Sequence, residues 1–331
     1  MTKIYMYGVS EQEEDLAKKW GEDNNVELTL DADILSEATV DRCEGYDGVS
    51  TYQYTPLEDS VYPVLKSFGI KNIAQRMAGF DPYNLELAAE NDVIISNVPA
   101  YSPESIAEYT LAQALNAIRK LYTVRDHSNH HDFRESLYIR GQRLGTKTVA
   151  ILGTGRIGQA TARLFKGFGC KILGYDLYPN DKLGDLLEYR DTPEECVKEA
   201  DIISLHLPST DDTYHLFNAD LLKQCKEGAV IINAGRGALI DTDALLDALD
   251  AGHLQAAMLD TYENEFDYVK HDWSHKGIVD QTFLRLLHHP AVSYTPHIAY
   301  YTDESVQNMV FHALNATKSV IETGDTELRV N

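Results

Sequence analysis

Val149-Ala-Ile-Leu-Gly153-Thr-Gly155-Arg156-Ile157-Gly158 sets an apolar strand directly before a glycine-rich turn and the mouth of a helix. Each glycine of this G-x-G-x-x-G has its own mechanical role. Gly153 makes the tight turn, Gly155 lets the backbone approach a pyrophosphate, and Gly158 lets helix and strand pack closely. The N–H groups that open the helix, around Arg156 and Ile157, then face phosphate. Glycine turns are common in α/β proteins, so the surroundings decide. The next strand, 171–175, ends in Asp176, 18 residues beyond Gly158. An acidic side chain there accepts hydrogen bonds from both ribose hydroxyls and repels a 2′-phosphate, which favours NAD over NADP.

Outward from this turn, short Val- and Ile-rich runs alternate with helical patterns, the mark of βαβ units and mainly parallel sheets. Before it, strands are expected at 4–9, 26–30, 48–52, 73–75 and 93–97, with helices at 11–20, 36–43, 58–68 and 83–90. After it, strands are expected at 148–152, 171–175, 202–205, 230–233, 256–259 and 292–294. Ser102 suits an N-cap and Pro103 the first helical position of one long helix over 105–125. A last helix, 303–323, ends against Gly324. The two long helices read as connectors, and the last returns to the first domain. Residues 1–101 with 299–331 then form one discontinuous domain, and 102–298 the other.

The chain has 331 residues, 44% hydrophobic and 24% charged, which suits two globular domains and excludes disordered or fibrous classes. Its net charge of −23 argues against nucleic acid or an anionic membrane as partner. Cys43, Cys170, Cys196 and Cys225 lie too far apart for a disulfide framework or a structural zinc site. The N-terminus reads as a strand running into Glu11, Glu13 and Glu14, with no secretory signal, and no apolar run approaches the roughly 20 residues that span a bilayer. A cytoplasmic protein is expected. His127, His130 and His131 share a face of the expected long helix, but nothing completes a metal site, so they read as a helix face or subunit contact. His271, His275, His288 and His289 read the same way, and no metal is expected.

Three segments follow strand ends, where ligands of parallel sheets collect: Asn233-Ala234-Gly235-Arg236-Gly237, Asp260-Thr-Tyr-Glu-Asn-Glu265 and Thr295-Pro-His297. Singly, each suits an ordinary surface loop. Together they supply an anion clamp, a carboxylate and a titratable imidazole, a full set for carbonyl reduction. His206-Leu-Pro208 follows another strand end and would line the cofactor.

With Asn97-Val-Pro-Ala-Tyr101-Ser-Pro103, Lys166-Gly-Phe-Gly169 and Pro296-His297-Ile-Ala-Tyr-Tyr, these motifs resemble the D-isomer-specific 2-hydroxyacid dehydrogenase family over essentially the whole chain. Asp260 to Glu265 followed by His271-Asp272-Trp273 resembles its D-lactate branch. The resemblance implies two doubly wound parallel-sheet domains, a flavodoxin-like substrate domain and a Rossmann NAD domain, with a cleft between them. It implies NADH-dependent reduction of a small 2-keto acid, pyruvate, to the D-hydroxy acid, and a homodimer. Arg236 would bind the substrate carboxylate and polarise the keto oxygen. His297 would protonate the developing alkoxide, with Glu265 holding the imidazole and favouring its protonated form. Asp260 and Ala234 would lie by the cofactor, and the backbone of Met77-Ala78-Gly79 would complete the carboxylate site. Tyr52, Tyr101 and Tyr300 would bound the substrate, two bulky rings at Tyr52 and Tyr300 favouring a small side chain.

Two other readings stay open: the same chemistry on a bulkier keto acid (2-ketoisocaproate or phenylpyruvate), and a non-catalytic NAD-sensing protein. The segment 75–81 departs from the family, so Met77 and Phe80 reshape the substrate side in this expectation. Because cofactor and keto acid are anions, the acidic surface gives no long-range attraction. Capture falls to the helix N-terminus after Gly153 and to Arg236.

Overall fold

A computed structural model describes residues 1–331. The chain divides into two compact units, Met1–Ser102 with Tyr301–Asn331, and Pro103–Tyr300. Each is built on a wholly parallel sheet.

The first unit holds β1 (Lys3–Tyr7), β2 (Glu27–Leu30), β3 (Gly48–Thr51), β4 (Asn72–Gln75) and β5 (Ile94–Ser96), in the spatial order β2-β1-β3-β4-β5. This is the flavodoxin-like 2-1-3-4-5 arrangement. The helices α1 (Glu11–Asn24), α2 (Val61–Ser67) and α3 (Leu85–Glu90) cover it. Pro63 sits in the first turn of α2, where no intrahelical N–H is needed.

The second unit opens with α4 (Pro103–Arg119) and α5 (Leu121–Asn129). Its strands are β6 (Thr148–Leu152), β7 (Lys171–Tyr175), β8 (Glu188–Tyr189), β9 (Ile202–Leu205), β10 (Ala229–Asn233), β11 (Leu254–Leu259) and β12 (Val292–Tyr294). The order β12-β11-β10-β9-β6-β7-β8 is the Rossmann 3-2-1-4-5-6 order with a seventh strand added at the far edge. Helices α6 (Arg156–Gly167), α7 (Pro193–Glu199), α8 (Ala219–Gln224), α9 (Thr242–Asp250) and α10 (Gln281–His288) pack around it. The chain then returns to the first unit through α11 (Asp303–Thr323), where Val310 and Leu314 pack with Ile4 and Trp20.

Strands covered on both faces are shielded from water along their whole length. Every residue of β3, β4, β9 and β10 is buried. The fold class expected from the alternating pattern is borne out. The four cysteines are buried and unpaired, and burial pushes the Cys43 thiol up to about 11 and those of Cys196 and Cys225 to about 12. No helix is long and apolar enough to cross a membrane.

Three local expectations fail. The segment 36–43 forms only a 3-10 turn, Val40–Cys43. The Thr39 hydroxyl accepts from Ser36 N–H and donates to Ile34 O, at 2.9 and 2.8 Å, and this side-chain bonding competes with a helix. The long helix expected over 105–125 is two helices, broken at Lys120, whose φ of 53° is left-handed. Asn116 Oδ1 accepts the Tyr122 N–H at 3.3 Å across the break. His130 caps α5 and His131 has φ 61°, so neither lies on the helix as expected. The two-residue β8 has no counterpart among the expected strands.

Candidate active site

At the head of β6, Gly153 has φ 94°, and a Cβ there would lie 2.5 Å from the His206 carbonyl oxygen. Only glycine fits. A Cβ on Gly158 would lie 2.0 Å from Gly153 O, so helix and turn touch backbone to backbone. Gly155 is different: its φ is −65° and a Cβ would meet nothing within 4 Å. The chain's own packing does not require glycine there, and the open approach suits a bound pyrophosphate. Gly155 also caps α6 without a side-chain hydrogen bond, leaving the first N–H groups, from Arg156 onward, for phosphate oxygens. These features fit NAD.

Asp176 follows β7 and is half-buried. Its Oδ2 accepts from Thr154 N–H at 2.7 Å and Thr154 Oγ1 at 3.1 Å, and its Oδ1 accepts from Tyr178 N–H at 3.0 Å. The carboxylate expected to read ribose therefore also fastens the phosphate turn. His206 follows β9, with its Nε2 2.9 Å from Ser204 Oγ. Burial pushes this imidazole down to about 4, so it is neutral near pH 7. Pro208 lies exposed beyond it, its carbonyl accepting the Thr213 hydroxyl at 2.7 Å.

After β10, Asn233 closes the next turn by accepting Gly235 N–H at 3.0 Å and donating Nδ2 to Arg236 O at 2.9 Å, which holds Ala234 at the strand end. The Arg236 guanidinium donates to Gly235 O at 3.2 Å and pairs with no carboxylate. Its planar fork is left for an anion.

After β11, Asp260 is buried, with Oδ1 accepting from Thr295 Oγ1 at 2.6 Å and Ile298 N–H at 3.1 Å, and Oδ2 from Ala299 N–H at 2.7 Å. From α4, Tyr109 donates to Thr295 Oγ1 at 2.6 Å, tying the 295–299 loop to the second unit's first helix. Burial pushes the Asp260 carboxyl up, against these donors.

His297 N–H donates to Asp260 O at 2.7 Å, and its φ of 55° is left-handed, a conformation that a non-glycine residue holds only when its surroundings enforce it. Its Nδ1 meets Oε1 of buried Glu265 at 2.7 Å. Glu265 Oε2 is in turn fixed by Tyr262 N–H at 3.0 Å. One ring nitrogen is thus held by an oriented carboxylate, which leaves Nε2 as the nitrogen able to exchange a proton with a ligand. Tyr300 accepts from Lys270 Nζ at 3.0 Å.

Tyr52, Ala78, Gly79 and Tyr101 lie in the first unit, just past β3, β4 and β5. Asn97 Nδ2 donates to Ala78 O at 2.6 Å, Val98 N–H to Met77 O at 2.9 Å, and Gln75 Nε2 to Gly79 O at 3.4 Å. All three carbonyls are turned inward to these donors. The alternate faces of the peptide groups, with their N–H donors, suit a carboxylate.

Residues 111–299 match the family described as D-isomer specific 2-hydroxyacid dehydrogenase, NAD binding domain. The chain is 52% identical over 329 residues to a D-lactate dehydrogenase of Streptococcus pyogenes serotype M1, covering 99% of this chain and 100% of that one. The chain belongs to the D-isomer-specific 2-hydroxyacid dehydrogenases. Among solved structures, this dehydrogenase superposes with a TM-score of 0.92 on a D-lactate dehydrogenase of Treponema pallidum, 38% identical over 100% of both chains. It superposes with a TM-score of 0.93 on a D-2-hydroxyisocaproate dehydrogenase, 35% identical over 99% of both. The family expected from the motifs is the family found, and the protein is an NAD-dependent enzyme.

Several contributions to the dehydrogenase's site escaped the sequence reading. Arg76 belongs to the segment read as atypical, yet its side chain is fully buried and bonds to Tyr7 O and Gly8 O within the first unit. The pairing of Asn97 with the loop carbonyl and of Tyr109 with Thr295 joins residues far apart in sequence, for which no local spacing gives a signal. His127 stacks on Tyr138 with ring centres 6.0 Å apart, while His130 Nδ1 lies 3.4 Å from Asp126 Oδ1, so these two imidazoles are engaged separately.

Proposed function

We propose that the enzyme reduces pyruvate to D-lactate with NADH, and that Arg236, Glu265 and His297 carry the reaction. The observation that carries this reading is the 2.7 Å contact between His297 Nδ1 and Glu265 Oε1, on the same strand-end face as an unpaired arginine. Arg236 takes the substrate carboxylate in its guanidinium fork and draws electron density from the keto oxygen. When bound, NADH supplies the hydride that the carbonyl carbon accepts. His297 passes the Nε2 proton to the carbonyl oxygen as negative charge grows there, and Glu265 stabilises the imidazolium before that transfer. In lactate oxidation the imidazole takes the proton back.

Gly153, Gly155, Arg156, Ile157 and Gly158 are assigned to the pyrophosphate, Asp176 to the adenosine ribose, and His206, Pro208, Ala234 and Asp260 to the remaining cofactor contacts. Ala78 and Gly79 are assigned to the substrate carboxylate, and Tyr52, Tyr101 and Tyr300 to its small side chain. A homodimer is part of this reading. Helix α5 has no buried residue, and Leu121, Tyr122, Phe133, Leu137 and Tyr138 stand exposed along the same excursion, an apolar surface that suits a second copy. A cytoplasmic location is supported by the four unpaired cysteines.

The deciding experiment measures NADH and NADPH oxidation with pyruvate, 2-ketoisocaproate and phenylpyruvate, and NAD reduction with each lactate enantiomer. Preference for pyruvate, NADH and D-lactate is expected. A strong preference for phenylpyruvate, or turnover of L-lactate alone, overturns it.

A further inference from the structure

We infer that His215 and Glu263 are positioning residues that lock the Arg236 turn against the Glu265 turn, and so set the spacing between the anion fork and the proton donor. The inference rests on the roles proposed above for Arg236, Glu265 and His297.

Arg236 and Glu265 leave the carboxyl ends of adjacent strands, β10 and β11, and their side chains do not bond to one another. Their spacing is therefore a property of the two turns. The turns meet at Gly237, where a Cβ would lie 2.1 Å from the Tyr262 carbonyl carbon and 2.4 Å from Glu263 N. This close approach has to be held in place.

Glu263 spans it. Its Oε1 accepts Thr242 N–H at 3.1 Å, at the start of α9, where a helix end favours negative charge. Its Oε2 meets His215 Nε2 at 2.8 Å. His215 lies along the Arg236 turn: its N–H donates to Ala238 O at 2.8 Å, Phe217 N–H donates to Leu239 O at 3.0 Å, and Asp241 N–H returns to Phe217 O at 3.2 Å. His215 holds a left-handed φ of 48°, and Tyr214 stacks on its ring with centres 4.0 Å apart. On the ring's other side, Asp241 Oδ2 lies 3.9 Å from Nδ1. The side chains of His215 and Glu263 are only 26% and 16% exposed. Three segments, 213–217, 236–242 and 260–265, are thereby joined through one imidazole–carboxylate contact, close in the chain to both Arg236 and Glu265. Neither residue is assigned to substrate or cofactor. A loosened junction displaces Arg236 relative to His297, and displacements of about 1 Å at a reacting centre are felt as large rate losses.

The test compares His215→Ala, Glu263→Ala, Glu263→Gln and the double alanine variant in the full-length enzyme, using pyruvate as substrate. KM and kcat for pyruvate, the Kd of NADH and the melting temperature are measured for each. Either alanine variant raises the pyruvate KM about tenfold, with a smaller fall in kcat and unchanged NADH Kd. Glu263→Gln keeps an oxygen for Thr242 N–H and a partner for the imidazole, and restores most of the KM. The double variant is no worse than the more damaging single one. An unchanged pyruvate KM in both alanine variants, alongside loss of pyruvate binding in Arg236→Gln, overturns the junction and leaves the site reading standing. Parallel losses of NADH affinity and melting temperature with no selective change in pyruvate KM also overturn it. Unimpaired pyruvate turnover by Arg236→Gln instead overturns the site reading itself, and the junction with it.

Discussion

Arg76 Nε donates to Glu13 Oε1 at 2.8 Å, and both side chains are buried within the first unit. The remaining guanidinium donors reach Tyr7 O at 2.8 Å, Gly8 O at 3.0 Å and Ser50 Oγ at 3.3 Å, while Glu13 Oε2 accepts the Ser10 N–H at 2.9 Å. A buried pair this well satisfied gains little over apolar packing, but removing one member strands the other charge. Arg76→Met should lower unfolding free energy by about 3–5 kcal/mol in chemical denaturation. A loss below about 1 kcal/mol would show that the pair is not holding β4 to α1.

Replacing His297 with Ala removes the proposed proton donor and leaves the phosphate turn untouched. kcat for pyruvate should fall by about 10²–10⁴-fold while NADH titrates with its original Kd. Full turnover in this variant would refute the assignment of His297.

Arg236→Lys keeps a positive charge but loses the two-pronged geometry that fits a carboxylate. The pyruvate KM should rise by at least about tenfold, the equivalent of about 1.4 kcal/mol, the scale of one charge-assisted hydrogen bond. Steady-state kinetics at saturating NADH gives the answer directly.

Asp176 binds Thr154 of the 153–155 turn and is proposed above to read the adenosine ribose, so its replacement acts twice. Asp176→Asn should raise the KM for NADH and increase relative activity with NADPH. The side-chain oxygen of asparagine can still accept from Thr154, so the melting temperature should move little. An unchanged NADH-to-NADPH activity ratio would remove Asp176 from the cofactor assignment.

The His206 imidazole is pushed down to about 4 by burial, against about 6.5 in an unfolded chain. Between those values the unfolded state binds the extra proton, so stability rises with pH through this window. Its contribution is complete above about pH 6.5 and is lost as the pH falls toward 4, a change of up to about 3 kcal/mol. Unfolding free energies of the cofactor-free enzyme at pH 7, 6, 5 and 4 should show this slope, and His206→Asn should flatten it. Equal slopes in both proteins would place the pH dependence elsewhere.

The βαβ alternation and the glycine turn were legible because both are local: β6, Gly153 and Asp176 follow one another along the chain at fixed spacing. The three catalytic candidates were legible as residue types at strand ends. Their orientation was not, because it depends on long-range bonds such as Tyr109 to Thr295 and on the left-handed backbone of His297. The break at Lys120 was hidden for a related reason, since no glycine or proline marks it and a side chain, Asn116, bridges the gap. Arg76 shows the limit of composition most plainly. An arginine at a strand end usually belongs to the surface, and only the position of Glu13, 63 residues earlier, turns it into a core residue.

Burial of the four thiols, with those of Cys43, Cys196 and Cys225 raised to about 11–12, makes this enzyme a poor target for peroxide and for thiol-directed electrophiles, because thiolate is the species that reacts. No exposed cysteine offers a covalent on–off switch. Oxidants that act on thiols therefore leave this catalyst unmarked, and its output follows the ratio of reduced to oxidised cofactor from moment to moment.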